Sequence, residues 1–160
     1  MIPYRKVFET LSEHGIKYLI AGGFAVNFHQ VQRATVDLDL IVLLEKDNVL
    51  KFVAMMKTLG FEPRVPVKAE ELADPAKRKQ WADEKGMMVL SFVNPQNPIE
   101  IVDVFVNEPK PFPELWGRKT EISAFGVRLP VLSKKDLIEM KRNTGRDKDD
   151  YDIRQLERED

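Results

Sequence analysis

The chain has 160 residues and a mass of 18.5 kDa, enough for one domain with a proper core. Apolar residues make up 43% and charged residues 32%, and the net charge of −1 excludes the global basic character of many nucleic-acid binders. Zero cysteines and two histidines, His14 and His29, exclude disulfides and thiolate zinc sites and leave little for any zinc site.

No apolar run approaches the roughly 18 residues of a membrane span. The N-terminal "MIPYRKVFETLSEHG" is amphipathic and mixed in charge, unlike a signal peptide. A reducing, cytoplasmic location without a membrane partner is expected. Pro3, Tyr4, Val7, Phe8 and Leu11 predict a short helix with one apolar face, ended near Gly15. "KYLIA" (17–21) predicts a short strand, after which Gly22 and Gly23 turn the chain into a second helix carrying Phe24, Ala25 and Phe28. "VDLDLIVLL" (36–44) is the strongest strand pattern. A helix follows from Lys46 to Leu59, with Val49, Leu50, Phe52, Val53 and Met56 inward and Gly60 as its cap.

From Pro63 to Gly86 the chain is charged and helical in part. "MMVLSFV" (87–93) and "IEIVDVFV" (99–106) flank the turn signal "NPQNP" and predict an antiparallel hairpin. Pro109, Pro111 and Pro113 predict a loop, "TEISAFGVRLPVL" two short strands around Gly126, and Ser133 with Asp136 a capped helix. Two helical pieces broken near Gly145 finish the chain. The expected fold class is α+β: a short mixed sheet with helices packed mainly on one face. A helical C-terminal segment covers about 133–157, and the whole of 1–160 reads as a single domain.

Two aspartates interrupt the strongest strand. Residues two apart in a strand face the same way, so Asp37 and Asp39 project together. Like charges that close raise each other's pKa, and a divalent cation relieves the cost. Mg²⁺ favours one or two carboxylates completed by phosphate oxygens and water. Gly22 and Gly23, without Cβ atoms, let the N–H groups at a helix start approach an anion. Asp103, between Val102 and Val104, is a third carboxylate in an apolar strand. It could hold a second metal and accept the proton of an attacking hydroxyl, whereas Glu100 points to the opposite face.

Plainer readings exist for each feature. Asp37 and Asp39 could lie in water on an exposed edge strand, and the glycines could form an ordinary tight turn. His29, Phe24 and Phe28 read as packing. Lys134, Lys135, Lys141, Arg142, Arg146 and Lys148 interleave with acids, which describes a solvated helix face before it describes a phosphate or RNA rim. Neither a G-x-G-x-x-G fingerprint nor a G-x-x-x-x-G-K-[ST] loop is present.

Gly22-Gly23, thirteen residues, then Asp37-Leu38-Asp39-Leu40 resembles the "hG[GS]…DhDh" signature of the DNA polymerase beta-like nucleotidyltransferase superfamily, where h is apolar. The string "RATVDLDLIV" resembles its small prokaryotic branch of minimal nucleotidyltransferases and abortive-infection type nucleotidyltransferase toxins. "LSKKDLIEMKRNTGRDKDDYDIRQL" is similar to the same branch, so the resemblance covers roughly residues 15–156. It implies a nucleotidyltransferase fold and transfer of a nucleoside monophosphate from a nucleoside triphosphate to an acceptor, with release of pyrophosphate under two Mg²⁺ or Mn²⁺ ions. By position, Asp37 and Asp39 would hold both metals and Asp103 one. Gly22 and Gly23 would contact the triphosphate, with Arg33 on the same nucleotide-binding side and Lys141 as a phosphate or acceptor contact. The resemblance leaves the acceptor open among tRNA, a partner protein of a toxin–antitoxin pair and a small molecule, because no separate acceptor-binding domain is evident. A catalytically silent nucleotide-binding or toxin–antitoxin interaction protein on the same fold is the alternative. Three crowded carboxylates favour the enzyme.

Overall fold

The computed structural model describes residues 4–158, apart from the side chain of Lys148. Pro3, expected at the start of the first helix, and the side chain of Lys148 in the basic cluster lie outside the described residues. In chain order the elements are α1 (Arg5–Glu13), β1 (Tyr18–Ala21), α2 (Gly22–Phe28), β2 (Leu38–Val42) and α3 (Lys46–Thr58). Next come β3 (Glu62–Pro63), a 3-10 turn (Ala69–Ala73), α4 (Pro75–Lys85), β4 (Val89–Val93) and β5 (Ile101–Phe105). The chain continues through α5 (Phe112–Gly117), β6 (Thr120–Ala124), β7 (Val127–Val131), α6 (Lys134–Arg142) and α7 (Asp147–Arg158).

Among the described residues seven strands form one sheet in the order β3-β4-β5-β2-β1-β7-β6. It is mixed, as the sequence predicts: β2 runs antiparallel to β1 but parallel to β5, and β4 and β5 make the expected antiparallel hairpin. Alternation sorts the two faces of β4 and β5. Leu90, Phe92, Val102 and Val104 are buried, and Phe92 meets Phe52 of α3 edge-on at 5.7 Å between ring centroids. Burying each such side chain contributes about 2 kcal/mol. Val89, Ser91, Ile101, Asp103 and Phe105 alternate with them and stay half-buried on the other face. That uncovered face is where polar residues can do chemistry.

Three expectations need correction. Strand β2 begins at Leu38, so Asp37 precedes the strand and sits on a bend. The Val36 carbonyl is taken by the Tyr4 hydroxyl at 2.5 Å, and the Val36 side chain is 62% exposed. The proline-rich segment contains a helix, α5. Pro113 lies in its first turn, where a missing N–H costs nothing, and Phe112 and Leu115 are buried beneath it. Finally, the basic cluster is not all solvated: Lys141 is buried at 7% exposure.

The two C-terminal helices are joined by charge. Lys141 Nζ reaches Asp149 at 2.9 Å and Asp152 at 3.0 Å, and both carboxylates are 1% exposed. Asp149 also accepts from Thr144 Oγ1 at 2.6 Å and from Arg146 Nε at 2.8 Å. Ser133 caps α6 by accepting from the Asp136 N–H, as predicted, while both Asp136 oxygens accept from Arg118 at 2.9 Å. No helix among the described residues is long and apolar enough to cross a membrane.

This network gives the fold an acid limit. Burial acts to raise the Asp149 carboxyl, but hydrogen bonds from Thr144 and Lys141 and the Lys141 charge outweigh it and hold the group at about 2. A depressed carboxyl stabilises the fold above its unfolded pKa and loses that stabilisation as pH falls through the folded value. Urea unfolding at stepped pH should therefore show about 2 kcal/mol disappearing between roughly pH 4 and pH 2. Asp149→Asn should lack that component and start about 3 kcal/mol less stable at neutral pH, because Lys141 loses a buried partner.

Candidate active site

Strand pairing assembles a row of four residues across the uncovered face. Ser91 pairs with Asp103, Asp103 with Asp39, and Asp39 with Ala21, the residue before Gly22. Directly opposed side chains lie about 5 Å apart, and like charges there are destabilising. Ser91 Oγ donates to Asp103 Oδ1 at 2.6 Å, and Asp39 is within hydrogen-bonding reach of Asp103. Burial first, then the charge of Asp37, holds the Asp103 carboxyl above the usual carboxylate range, against the Ser91 bond, the Arg64 charge and the Asp39 contact. Asp103 therefore sits where an extra positive charge would be welcome.

Asp37 joins this group from the bend ahead of β2, close enough for its charge to act on Asp103 and on Tyr4. The Tyr4 hydroxyl donates to the Val36 carbonyl and accepts from the Ile101 N–H at 2.9 Å. It thereby ties the residue before Asp37 to the start of β5. Burial, with the charges of Asp37, Glu100 and Asp103 adding, pushes that hydroxyl up to about 12 despite the backbone bond at Ile101. Glu100, just ahead of β5, accepts from the Tyr4 N–H at 3.0 Å. Among the described residues, no group of three or more His, Cys, Asp or Glu side chains is arranged to hold a metal ion. The opposed pair Asp39 and Asp103 is a smaller donor set, of the kind Mg²⁺ completes with water and phosphate oxygens.

The glycine turn serves the carboxylates directly. A Cβ on Gly22, whose φ is +61°, would lie 1.9 Å from Asp39 Oδ2. A Cβ on Gly23 would lie 2.4 Å from Thr35 Oγ1 and 3.2 Å from Arg33 Nη1. Arg33 Nη1 in turn pairs with Asp152 at 2.8 Å, the same carboxylate that Lys141 holds. Arg33 and Lys141 thus belong to one network behind Gly23, at the opposite end of the row from Ser91. His29 is 9% exposed and bonded through Nε2 to the Leu132 carbonyl at 2.7 Å, a packing role.

Two hollows border these elements. One of about 740 Å³ runs along the loop after α2, past Gln30, Gln32 and Arg33, and contains none of the carboxylates. The other, about 420 Å³, adjoins the row at Ser91 and is lined by Arg64, Val65, Lys85, Met87 and Val89. Reading the sequence singles out neither Ser91 nor Arg64. Alternation in "VLSFV" puts Ser91 opposite to Leu90, but only the hairpin register places it beside Asp103.

The close approach at Gly22 can be isolated by comparison with Gly86, whose φ is +60° and whose Cβ direction is open for 4 Å. Gly86→Ala should cost about 1 kcal/mol, the left-handed backbone penalty alone. Gly22→Ala should cost about 3 kcal/mol or more, since the Asp39 carboxylate or the strand must also move. Side-by-side denaturant unfolding checks this, and equal losses would mean that Asp39 gives way freely.

No family model matches the chain, and no curated protein matches it. Solved structures do. The crystal structure of the lincosamide antibiotic adenylyltransferase LnuA, lincomycin-bound, superposes with a TM-score of 0.63 at 15% identity, covering 95% of this chain and 92% of that one. The crystal structure of ANT(2")-Ia in complex with adenylyl-2"-tobramycin gives a TM-score of 0.60 at 14% identity, over 94% of this chain and 83% of that one. An antigenic nucleotidyltransferase-like protein from Paracoccidioides brasiliensis gives 0.56 at 17% identity, over 95% and 71% of the two chains. At such identities the likeness is one of architecture, and over almost its whole length this chain has the nucleotidyltransferase fold.

Proposed function

We propose that the protein is a nucleotidyltransferase, moving a nucleoside monophosphate from a nucleoside triphosphate to an acceptor hydroxyl or phosphate. The observation that carries the reading is the register that sets Asp39 opposite Asp103, beside a glycine turn, on a nucleotidyltransferase fold. The donors suit Mg²⁺ or Mn²⁺: hard oxygens, crowded, with Asp103 raised by burial and by Asp37. Asp39 and Asp103 would hold the ions, with Asp37 beside them. When bound, divalent cations neutralise the polyphosphate and polarise the phosphorus under attack.

The chain's own groups do the rest. The N–H groups of Gly22 and Gly23, with Arg33 behind them, bind the triphosphate. Asp103 has Oδ1 held by Ser91, which leaves Oδ2 to accept the proton of an acceptor hydroxyl. The acceptor oxygen bonds to the α-phosphorus as the bond to the bridging oxygen breaks, and pyrophosphate departs with those electrons. Lys141, locked by Asp149 and Asp152, keeps Arg33 in place through the shared Asp152 carboxylate.

Incubation of the full chain with Mg²⁺ or Mn²⁺ and each α-labelled nucleoside triphosphate should move label to an acceptor among tRNA, protein and small-molecule fractions. Asp39→Asn and Asp103→Asn should each lower transfer by about 100-fold or more. Both should melt at or above the wild-type temperature, because a crowded charge is removed. Ser91→Ala should cost about tenfold through loss of the bond that orients Asp103. Triphosphate binding with no label transfer to any fraction would leave only a binding protein.

A further inference from the structure

The row has two ends. At one lie Gly22, Gly23 and Arg33, where the triphosphate is proposed to bind; at the other, three strands away, lies Ser91. Three strand spacings amount to about 14 Å, so a ligand reaching Asp103 from the Ser91 side does not overlap one lying at the glycines. The cavity of about 420 Å³ opens on that side, ending at Ser91. Its size is within the range of about 300–1,000 Å³ typical of small-molecule sites.

The lining defines what fits. Met87 and Val89 make a half-buried apolar floor continuous with the uncovered face of β4, and Val65, 38% exposed, adds a wall. Arg64 and Lys85 stand over it, both exposed. By contrast, Lys141, Arg33, Arg118 and Arg146 each hold a carboxylate. Arg64 and Lys85 form no ion pair among the described residues, and the charge of Arg64 is felt by Asp103. The backbone of Arg64 is fixed, its N–H donating to the Ser91 carbonyl at 2.9 Å, so its side chain emerges beside the row. Two exposed cations without an ion-pair partner, set over an apolar floor, attract an anion with an apolar body and repel a polyamine.

We propose, resting on the nucleotidyl-transfer reading above, that this cavity takes the acceptor, and that the acceptor is a small molecule with an apolar body and a phosphate or carboxylate group bound by Arg64 and Lys85. Asp103, between the cavity and the glycine turn, then stands where the acceptor's hydroxyl meets the triphosphate. Selection against cationic acceptors follows from the same two side chains.

The test uses the full chain and four matched probes: 1-naphthyl phosphate, 1-naphthoate, 1-naphthol and 1-naphthylmethylamine. Calorimetry gives affinities, and amide chemical shifts locate the site. Both anions should bind at least about tenfold tighter than the alcohol and the amine, with shifts at Arg64, Met87 and Ser91. The phosphate and carboxylate arms show which anion the two cations favour. The double variant Arg64→Glu/Lys85→Glu should weaken the anions about tenfold or more and leave the naphthol affinity in place, which also shows that it has folded. Equal affinity for the amine, anion binding indifferent to the charge reversal, or shifts centred on Gly22 and Gly23 would each overturn the proposal. MgATP binding by the wild-type chain is measured separately. Its absence, with naphthyl phosphate still bound at Arg64, would count against the nucleotide reading while upholding the anion site. Its presence, with no naphthyl phosphate bound, would remove the anion site alone.

Discussion

Parallel pairing of β2 with β5 forces Asp39 and Asp103 side by side, and much of the surrounding structure serves to keep them there. Two ionised carboxylates brought this close repel each other, and one partner's proton or an added cation relieves the cost. A free pair would splay or sink into solvent. Here Ser91 holds one oxygen of Asp103, Gly22 leaves no space between the α2 turn and Asp39, and Tyr4 ties the bend before β2 to the start of β5. Register is the master constraint. A slip of one residue in β2 would turn Asp39 to the face where Leu38 and Leu40 are fully buried, so the hydrophobic core and the carboxylate row specify each other.

The apolar neighbours that make Asp39 and Asp103 conspicuous in the sequence are the same residues that fix the register, which is why those two were legible. Asp37 reads as a strand residue because alternation from Val36 to Leu40 leads without a breaker into the apolar run that ends at Leu44. What ends the ladder is a tertiary event, the capture of the Val36 carbonyl by Tyr4, and no local pattern announces it. Helix α5 hid behind prolines that usually mark a loop but are harmless in a first helical turn. Lys141 looked solvated because its acids are interleaved in sequence. Only the packing of α6 on α7 shows that Asp149 and Asp152 enclose it.

Gly22 shows a subtler gap. The sequence suggests that its missing Cβ lets a phosphate approach, and that role remains part of the proposed chemistry. The space a Cβ would fill is already taken by Asp39 Oδ2, and that beside Gly23 by Thr35. The glycines thus bring the α2 turn and the carboxylate into contact first, so that anything bound at one is within reach of the other. A motif of two glycines and two aspartates is, in three dimensions, a single packed contact.

Cations sort by the company they keep. Behind Gly23, Arg33, Lys141 and Arg146 face Asp149 and Asp152, and Arg33 is the member of the network that reaches the glycine turn. Lys141, Asp149 and Asp152 are all buried, so breaking the pairs among them leaves a buried charge undercompensated. The network gives a fixed, modest positive field, suited to a polyphosphate whose remaining charge divalent cations would carry. On the Ser91 side, Arg64 and Lys85 are exposed and have no ion-pair partner among the described residues, so their charge is free to respond to whichever ligand arrives. The carboxylate row lies between an ion-paired network and a pair of exposed cations. In the proposed reaction that asymmetry would let one side bind the same group in every turnover while the other side discriminates among acceptors.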